Sequence, residues 1–201
     1  MAPDFTIVED SIRNWEEYGK VPISYRVAGI FEVVCQNTNR GGVSLEERAI
    51  QVPYTKDYDA LAGEGPSRWA RNWNVSNWGV ISAFDGPRRI GGCVLAWRTE
   101  GLELLEGRED FVVLWDIRVH PDERGRGIGS ALFSAAVAWA RDRRCRLLRV
   151  ETQNTNVPAC RFYAAQGCVL LHVHRFAYPD LPDEVQLIWE LPLEEAPTRP
   201  G

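Results

Sequence analysis

Apolar residues recur along this chain with two periods, and the change between them divides it. From residue 78 onward, short dense apolar runs predict strands over 80–84 and 90–97, joined through Asp85, Gly86 and Pro87 as a hairpin. Further strands are predicted over 112–119, 147–151, 169–176 and 185–191. Between 112–119 and 147–151 the period lengthens. Ile128, Leu132, Ala135, Ala136 and Trp139 fall on one helical face there, which predicts a helix over 130–141. Arg141, Arg143 and Arg144 follow, where positive charge opposes the dipole. A shorter helix over about 158–165 is expected from Pro158 in its first turn and Gly167 at its stop. Upstream, 5–8, 23–35 and 45–52 are β-rich, 63–67 is a break, and Trp69, Ala70 and Trp73 have helical spacing. Strand pairs followed by strand–helix–strand–helix–strand predict a mixed α/β arrangement over one central sheet. A single domain over 1–201 is expected, with its core at 78–193, a segment at 1–42 left unassigned and a frayed tail at 196–201.

The turn between the strand at 112–119 and the helix at 130–141 reads Arg124-Gly125-Arg126-Gly127-Ile128-Gly129. Glycines there let the backbone approach a ligand closely, because no Cβ intervenes. The first N–H groups of a helix lack internal partners and, with the positive dipole end behind them, favour an anion. Two arginines flank these donors, which outlines a pyrophosphate cradle and a nucleotide-bearing cofactor. The spacing is not the Gly-x-Gly-x-x-Gly of a dinucleotide turn, and the Gly-Lys-Ser/Thr of a Walker loop is absent. The segment resembles Arg/Gln-x-x-Gly-x-Gly/Ala, the acetyl-CoA signature of the GNAT superfamily of N-acetyltransferases.

A second segment strengthens the resemblance. Asn156-x-x-Ala159-x-x-Phe162-Tyr163-x-x-x-Gly167 is similar to the GNAT element that lies against the pantetheine arm and carries a tyrosine. Cys168 stands where the family usually has Phe, a change of packing bulk. Glu151-Thr152-Gln153-x-x-Asn156-x-x-Ala159-Cys160-x-Phe162-Tyr163, together with the loop and Ser130-Ala131-Leu132, looks like the streptothricin acetyltransferase branch. So do Pro53-Tyr54-x-Lys56-x-Tyr58 and the strand with Trp189. The likeness runs from about 78 to 193, thins over 43–59 and is absent before 43. It implies the GNAT fold, an α/β fold with a mainly antiparallel central sheet flanked by helices. It also implies acetyl-CoA as cofactor and direct acetyl transfer to a primary amine, with CoA as product.

On that resemblance, the N–H groups of Gly125, Gly127 and Gly129 with Arg124 and Arg126 hold the pyrophosphate, and Ile128 and Ser130 complete the cradle. For both arginines the alternative is a solvated charge at the helix entry. Ile117, Arg118 and Val119 match the splayed strand that offers backbone groups to pantetheine. Asn156 and Ala159 match the contact to the cofactor arm, although Asn156 reads equally as a helix cap. Tyr163, with an ordinary phenol pKa of about 10, can give a proton to a leaving thiolate. Asp116 is expected by two-residue alternation to share a face with Leu114 and Arg118. It could hold or deprotonate the amine, or pair with Arg118. Glu151 could be the base, directly or through water, or could pin the turn at 154–156. Tyr54, Tyr58, Trp69 and Trp73 are either walls of an acceptor pocket, where a ring face can hold a cation, or core.

Composition adjusts this picture in a few places. The net charge of −5 argues against general nucleic-acid binding and suits a cationic amine. Five cysteines, odd in number and without Cys-x-x-Cys spacing, read as buried thiols in a reducing compartment. No leader is evident and no apolar run approaches the roughly 18 residues of a membrane span, so a cytoplasmic location with no membrane partner is expected. His172 and His174 share a strand face without a third ligand, and no metal site is expected. The leading reading is a small-molecule amine N-acetyltransferase, with an antibiotic-resistance role on streptothricin-type acceptors. The alternatives are a protein N-terminal or lysine acetyltransferase, and a non-catalytic acetyl-CoA-binding regulator. The oligomeric state is left open, a homodimer among the options.

Overall fold

The structure, a computed structural model, describes residues 4–11, 14–36, 42–61 and 64–193. The expected tail at 196–201 and part of the break at 63–67 lie outside the described residues. Nine strands and four α-helices follow in chain order among them: β1 (Thr6–Asp10), α1 (Trp15–Gly19), β2 (Tyr25–Cys35), β3 (Val43–Lys56), α2 (Pro66–Asn72), β4 (Gly79–Asp85), β5 (Arg88–Trp97), β6 (Phe111–Val119), α3 (Ile128–Asp142), β7 (Leu147–Gln153), α4 (Val157–Ala165), β8 (Val169–His174) and β9 (Gln186–Pro192). Seven strands are hydrogen-bonded in the order β1-β4-β5-β6-β7-β9-β8, and β2 pairs with β3 in a separate antiparallel ribbon. The pairs β1–β4, β4–β5 and β5–β6 are antiparallel and β6–β7 is parallel. This is the mixed α/β class with a mainly antiparallel sheet that the sequence predicts. The chain divides into two compact units: residues 1–23, 58–150 and 190–201, and residues 24–57 and 151–189.

In the first unit two consecutive glycines of β5 reveal what covers each face of the sheet. A Cβ on Gly91 would stand 3.3 Å from Ile128 and Leu132 side-chain atoms, so α3 packs on that side. A Cβ on Gly92 would stand 2.6 Å from the Tyr18 ring, so α1 packs on the other. The predicted apolar stripe of α3 is the face that seats it: Ile128, Leu132, Ala136 and Trp139 are buried. Opposite them, Trp15, Tyr18, Trp69 and Trp78 form an aromatic cluster, with Trp15 edge-on to Trp69 at 5.4 Å. Such a pair adds about 0.5–1.5 kcal/mol beyond the area it buries. The helix α1, unanticipated from the sequence, exists to deliver two of these rings; at five residues it is too short to announce a period.

The alternation expected for β6 does not hold. Val94 opposes Asp116 and Leu95 opposes Leu114, so β6 carries one extra residue, Trp115, in a bulge. Because Val94 and Leu95 point to opposite faces, Leu114 and Asp116 do too. Trp115 packs with Asp116 on the α1 side, its ring 5.4 Å from Trp78. An uninterrupted run of apolar residues hides such an insertion, since no polar residue marks the slip.

In the second unit the β2–β3 ribbon extends well past the expected 45–52. Glu46, Glu47 and Arg48 broke the apolar pattern, yet a ribbon exposed along most of its length needs none. Asn154, just after β7, anchors the ribbon. Its Nδ2 donates to the Phe31 carbonyl at 3.0 Å and its carbonyl accepts from the Phe31 N–H at 2.9 Å. Its Oδ1 also accepts from the Val185 N–H at 2.9 Å, which aligns the entry to β9. Among the described residues no helix is long and apolar enough to cross a membrane.

Candidate active site

The first group of site residues begins at the β6 bulge. β6 keeps its β5 partner as far as Val119, but its ladder with β7 ends at Leu114↔Val150. Ile117, Arg118 and Val119 therefore lie past the last β7 pair, as the expected splay requires. Beyond His120 the chain makes a short 3₁₀ turn at Pro121–Glu123 and enters the glycine loop.

Gly125 and Gly127 both take left-handed backbone, at φ +82° and +81°, which side chains with a Cβ rarely adopt. A Cβ at either would meet nothing within 4 Å, so open space lies over the loop. Gly127 is the N-cap of α3 and supplies no side-chain cap. The first-turn N–H groups of Ile128 and Gly129 precede the first helical bond, which runs from Ala131 to the Gly127 carbonyl at 3.0 Å. An uncapped helix start under open space is what an anionic phosphate group fits. The arginines differ. Arg124 is exposed beside the loop, its Nε donating to the Val119 carbonyl at 3.1 Å, and partial desolvation pulls its guanidinium below the ordinary value. Arg126 instead bonds the Glu123 carboxylate, which also receives Arg88. Those two guanidiniums hold Glu123 below the usual carboxylate range.

Asp116 is an ion-pair partner. Its carboxylate receives Arg118 through Nε at 2.9 Å and Nη2 at 2.7 Å, and the Tyr18 hydroxyl donates to the same group. Arg118, whose side chain is wholly buried, reaches on to Asp59 at 2.7 Å and the Val21 carbonyl at 3.1 Å. Burial first, and then the Asp116 charge, pushes the Tyr18 phenol well above its ordinary value. Of the two roles open for Asp116, the structure draws the pair with Arg118. Among the proposed acceptor walls in this unit, Trp69 is core, while Trp73 is half-buried and meets Trp115 edge-on at 6.0 Å. Tyr58 lies just past the ribbon, its carbonyl accepting from the Leu61 N–H at 3.1 Å.

The second group lies at the end of β7 and on α4. Glu151 is half-buried and oriented by three donors: the Tyr178 hydroxyl at 2.5 Å and Gln153 Nε2 at 3.5 Å on Oε1, and Gln186 Nε2 at 2.9 Å on Oε2. Gln153 also donates to the Tyr178 hydroxyl at 2.8 Å. Burial, then the Glu151 charge, pushes the Tyr178 phenol above its ordinary range. Asn154 itself ties the following turn to Phe31 and Val185. Asn156 caps α4, its Oδ1 accepting from the Ala159 N–H at 3.2 Å, so the capping half of its expected role is on view. Tyr163 is buried on α4, edge-on to Phe162 at 5.3 Å. Tyr54 is exposed on the ribbon at 45%. Tyr178 was not foreseen; it stands just before Pro179 and Pro182 in a loop with no periodic pattern to single it out.

The model of the acetyltransferase (GNAT) family matches residues 46–168. The chain is 33% identical over 81 residues to streptothricin acetyltransferase A of Bacillus subtilis, a match spanning 39% of this chain and 47% of that protein. It is 34% identical over 91 residues to a streptothricin acetyltransferase of Escherichia coli, spanning 44% and 52%. The chain thus spans about half the length of the curated relatives it matches. Among solved structures, it is similar to a candidate streptothricin acetyltransferase of Bacillus anthracis in complex with acetyl coenzyme A, at 24% identity and a TM-score of 0.72, covering 94% of this chain and 99% of that one. The bulged strand, the uncapped glycine loop and the family match all converge: the chain belongs to the acetyltransferase (GNAT) family.

Proposed function

We propose that this chain transfers an acetyl group from acetyl coenzyme A to a primary amine of a small molecule, with streptothricin-type antibiotics as acceptors. One observation carries the cofactor half: the uncapped α3 start behind two left-handed glycines, directly after a strand that has left its β7 ladder. The relatives named as streptothricin acetyltransferases, and the similar structure holding acetyl coenzyme A, support the reading. Bound acetyl coenzyme A supplies an acetyl thioester as the transferable group.

The chain's own residues divide the remaining work. The N–H groups of Gly125, Gly127, Ile128, Gly129 and Ser130 bind pyrophosphate oxygens, with Arg124 adding charge. Arg126 serves chiefly to fasten the loop through Glu123. Backbone groups of Ile117, Arg118 and Val119 orient the pantetheine arm, and Asn156 and Ala159 present the start of α4 to it. Glu151 accepts the proton released by the attacking amine nitrogen, directly or through one water, while Tyr178, Gln153 and Gln186 fix the direction of its carboxylate. Tyr163 Oη gives its proton to the departing sulfur. Asp116 positions rather than reacts: through Arg118 and Tyr18 it ties β6 to α1.

Thiol release from acetyl coenzyme A, measured against streptothricin, polyamines, aminoglycosides, amino acids and short peptides, tests the reading. Turnover on streptothricin or another small amine is expected. Release with peptides alone would move the chain to protein acetylation, and silence on all acceptors would reject the proposed reaction.

A further inference from the structure

Three half-buried aromatic rings of this chain carry its own arginines. Arg98 lies over Trp97 at 4.4 Å, Arg89 over Phe84 at 4.9 Å, and Arg108 and Arg149 over Phe111 at 4.7 and 5.3 Å. Among the described residues, Trp73 and Trp115 carry none. Both are half-buried, and their rings meet at 72° with centroids 6.0 Å apart, forming a corner. Among the described residues no cation stands over either ring. The rings behind them, Trp15, Trp69 and Trp78, are buried, and Trp73 and Trp115 are the partly open tryptophans of the cluster.

Their position is specific. Trp115 is the extra residue of the bulge, one place past the last β6–β7 pair. Trp73 caps α2 with extended backbone, its N–H held by the Trp69 carbonyl at 2.9 Å. Both rings thus rest on ordered elements. The face of an indole attracts a cation, and two faces at an angle offer that attraction from two directions. A net charge of −5 favours arrival of a cation as well.

Resting on the acetyl-transfer reading, we infer that Trp73 and Trp115 form a cation corner that receives a charged ammonium group of the acceptor. The nitrogen that is acetylated must be neutral to attack, whereas a group held by ring faces must stay charged. One nitrogen cannot do both at once. The acceptor therefore carries at least two basic nitrogens, one reacting and one held in the corner, and diamines and polyamines are preferred over monoamines of equal length.

Calorimetric binding of choline and of its uncharged carbon analogue, 3,3-dimethylbutan-1-ol, to the full chain without acetyl coenzyme A tests the corner alone. Choline is expected to bind about tenfold tighter than the alcohol. Trp115→Leu and Trp73→Leu should each lose most of that preference, and Trp115→Phe should keep part of it, at unchanged melting temperature for the Phe variant. Equal binding of the two probes, no binding of choline, or an undiminished preference in both Leu variants would overturn the inference. In turnover, cadaverine should show a KM about tenfold below that of pentylamine, and Trp115→Phe should narrow the gap without moving the KM for acetyl coenzyme A. Choline binding without turnover of any amine would uphold the corner and reject the acetyl-transfer reading; amine turnover without choline preference would do the reverse.

Discussion

Asp116 near the end of β6 and Glu151 on β7 are both carboxylates that receive a tyrosine hydroxyl, yet their surroundings assign them opposite duties. Asp116 is buried and meets a full positive charge, Arg118, in a two-bond pair. Glu151 is half-buried, and Tyr178, Gln153 and Gln186, which orient it, are neutral. A buried charge neutralised by its partner belongs to the fold, because removing one member leaves the other stranded. Neutral donors set the direction of a carboxylate without themselves cancelling its charge. The sequence offered both residues as candidates for one task; the difference lies in what each one touches.

Substitutions can break or sharpen that contrast. The largest effect is expected from Arg118→Met, which strands both Asp116 and Asp59: a loss of about 3–5 kcal/mol in urea denaturation. A variant that unfolds like the parent chain would show the pair to be dispensable. Next, Tyr163→Phe should lower kcat about a hundredfold with the melting temperature nearly unchanged, read by thiol release. Full activity would remove Tyr163 as proton donor. Tyr178→Phe should lower kcat/KM for the amine about tenfold and leave the KM for acetyl coenzyme A alone, because it frees the Glu151 carboxylate to turn. At the cradle, Arg124→Ala should raise the KM for acetyl coenzyme A about fivefold, whereas Arg126→Ala, whose side chain is committed to Glu123, should change it less than about twofold.

The smallest and most general effect concerns alkaline pH. Burial, then the neighbouring carboxylate, raises both Tyr18 and Tyr178 above the ordinary phenol value. A raised folded value means that each tyrosine's contribution to stability is fully present below about pH 10 and is lost as pH rises through the folded value. Ultraviolet titration of the folded chain at pH 10–11 should therefore retain un-ionised tyrosine, and Tyr178→Phe should lower that un-ionised number by one.

The legible parts of the molecule were those with local cause. The glycine loop, α3 and the Asn156 cap each arise from residues close together in sequence, and all stand where the spacing places them. The β6 bulge was hidden because a buried strand shows no polar alternation from which a slip could be read. Tyr178 and Asn154 act across long chain separations, on Glu151 and on Phe31 respectively. No local pattern encodes such pairings. Asp116 illustrates the same limit: its partner Arg118 is two residues away and was foreseen, whereas Tyr18, 98 residues away, was not.

The most direct measurement compares kcat/KM for one small amine acceptor in Glu151→Gln and Asp116→Asn, each normalised to folded protein. A loss of about a hundredfold or more in Glu151→Gln, beside near-parental turnover but lowered stability in Asp116→Asn, is the expected result. Full activity in Glu151→Gln with collapse of turnover in well-folded Asp116→Asn would contradict it and return the chemistry to β6.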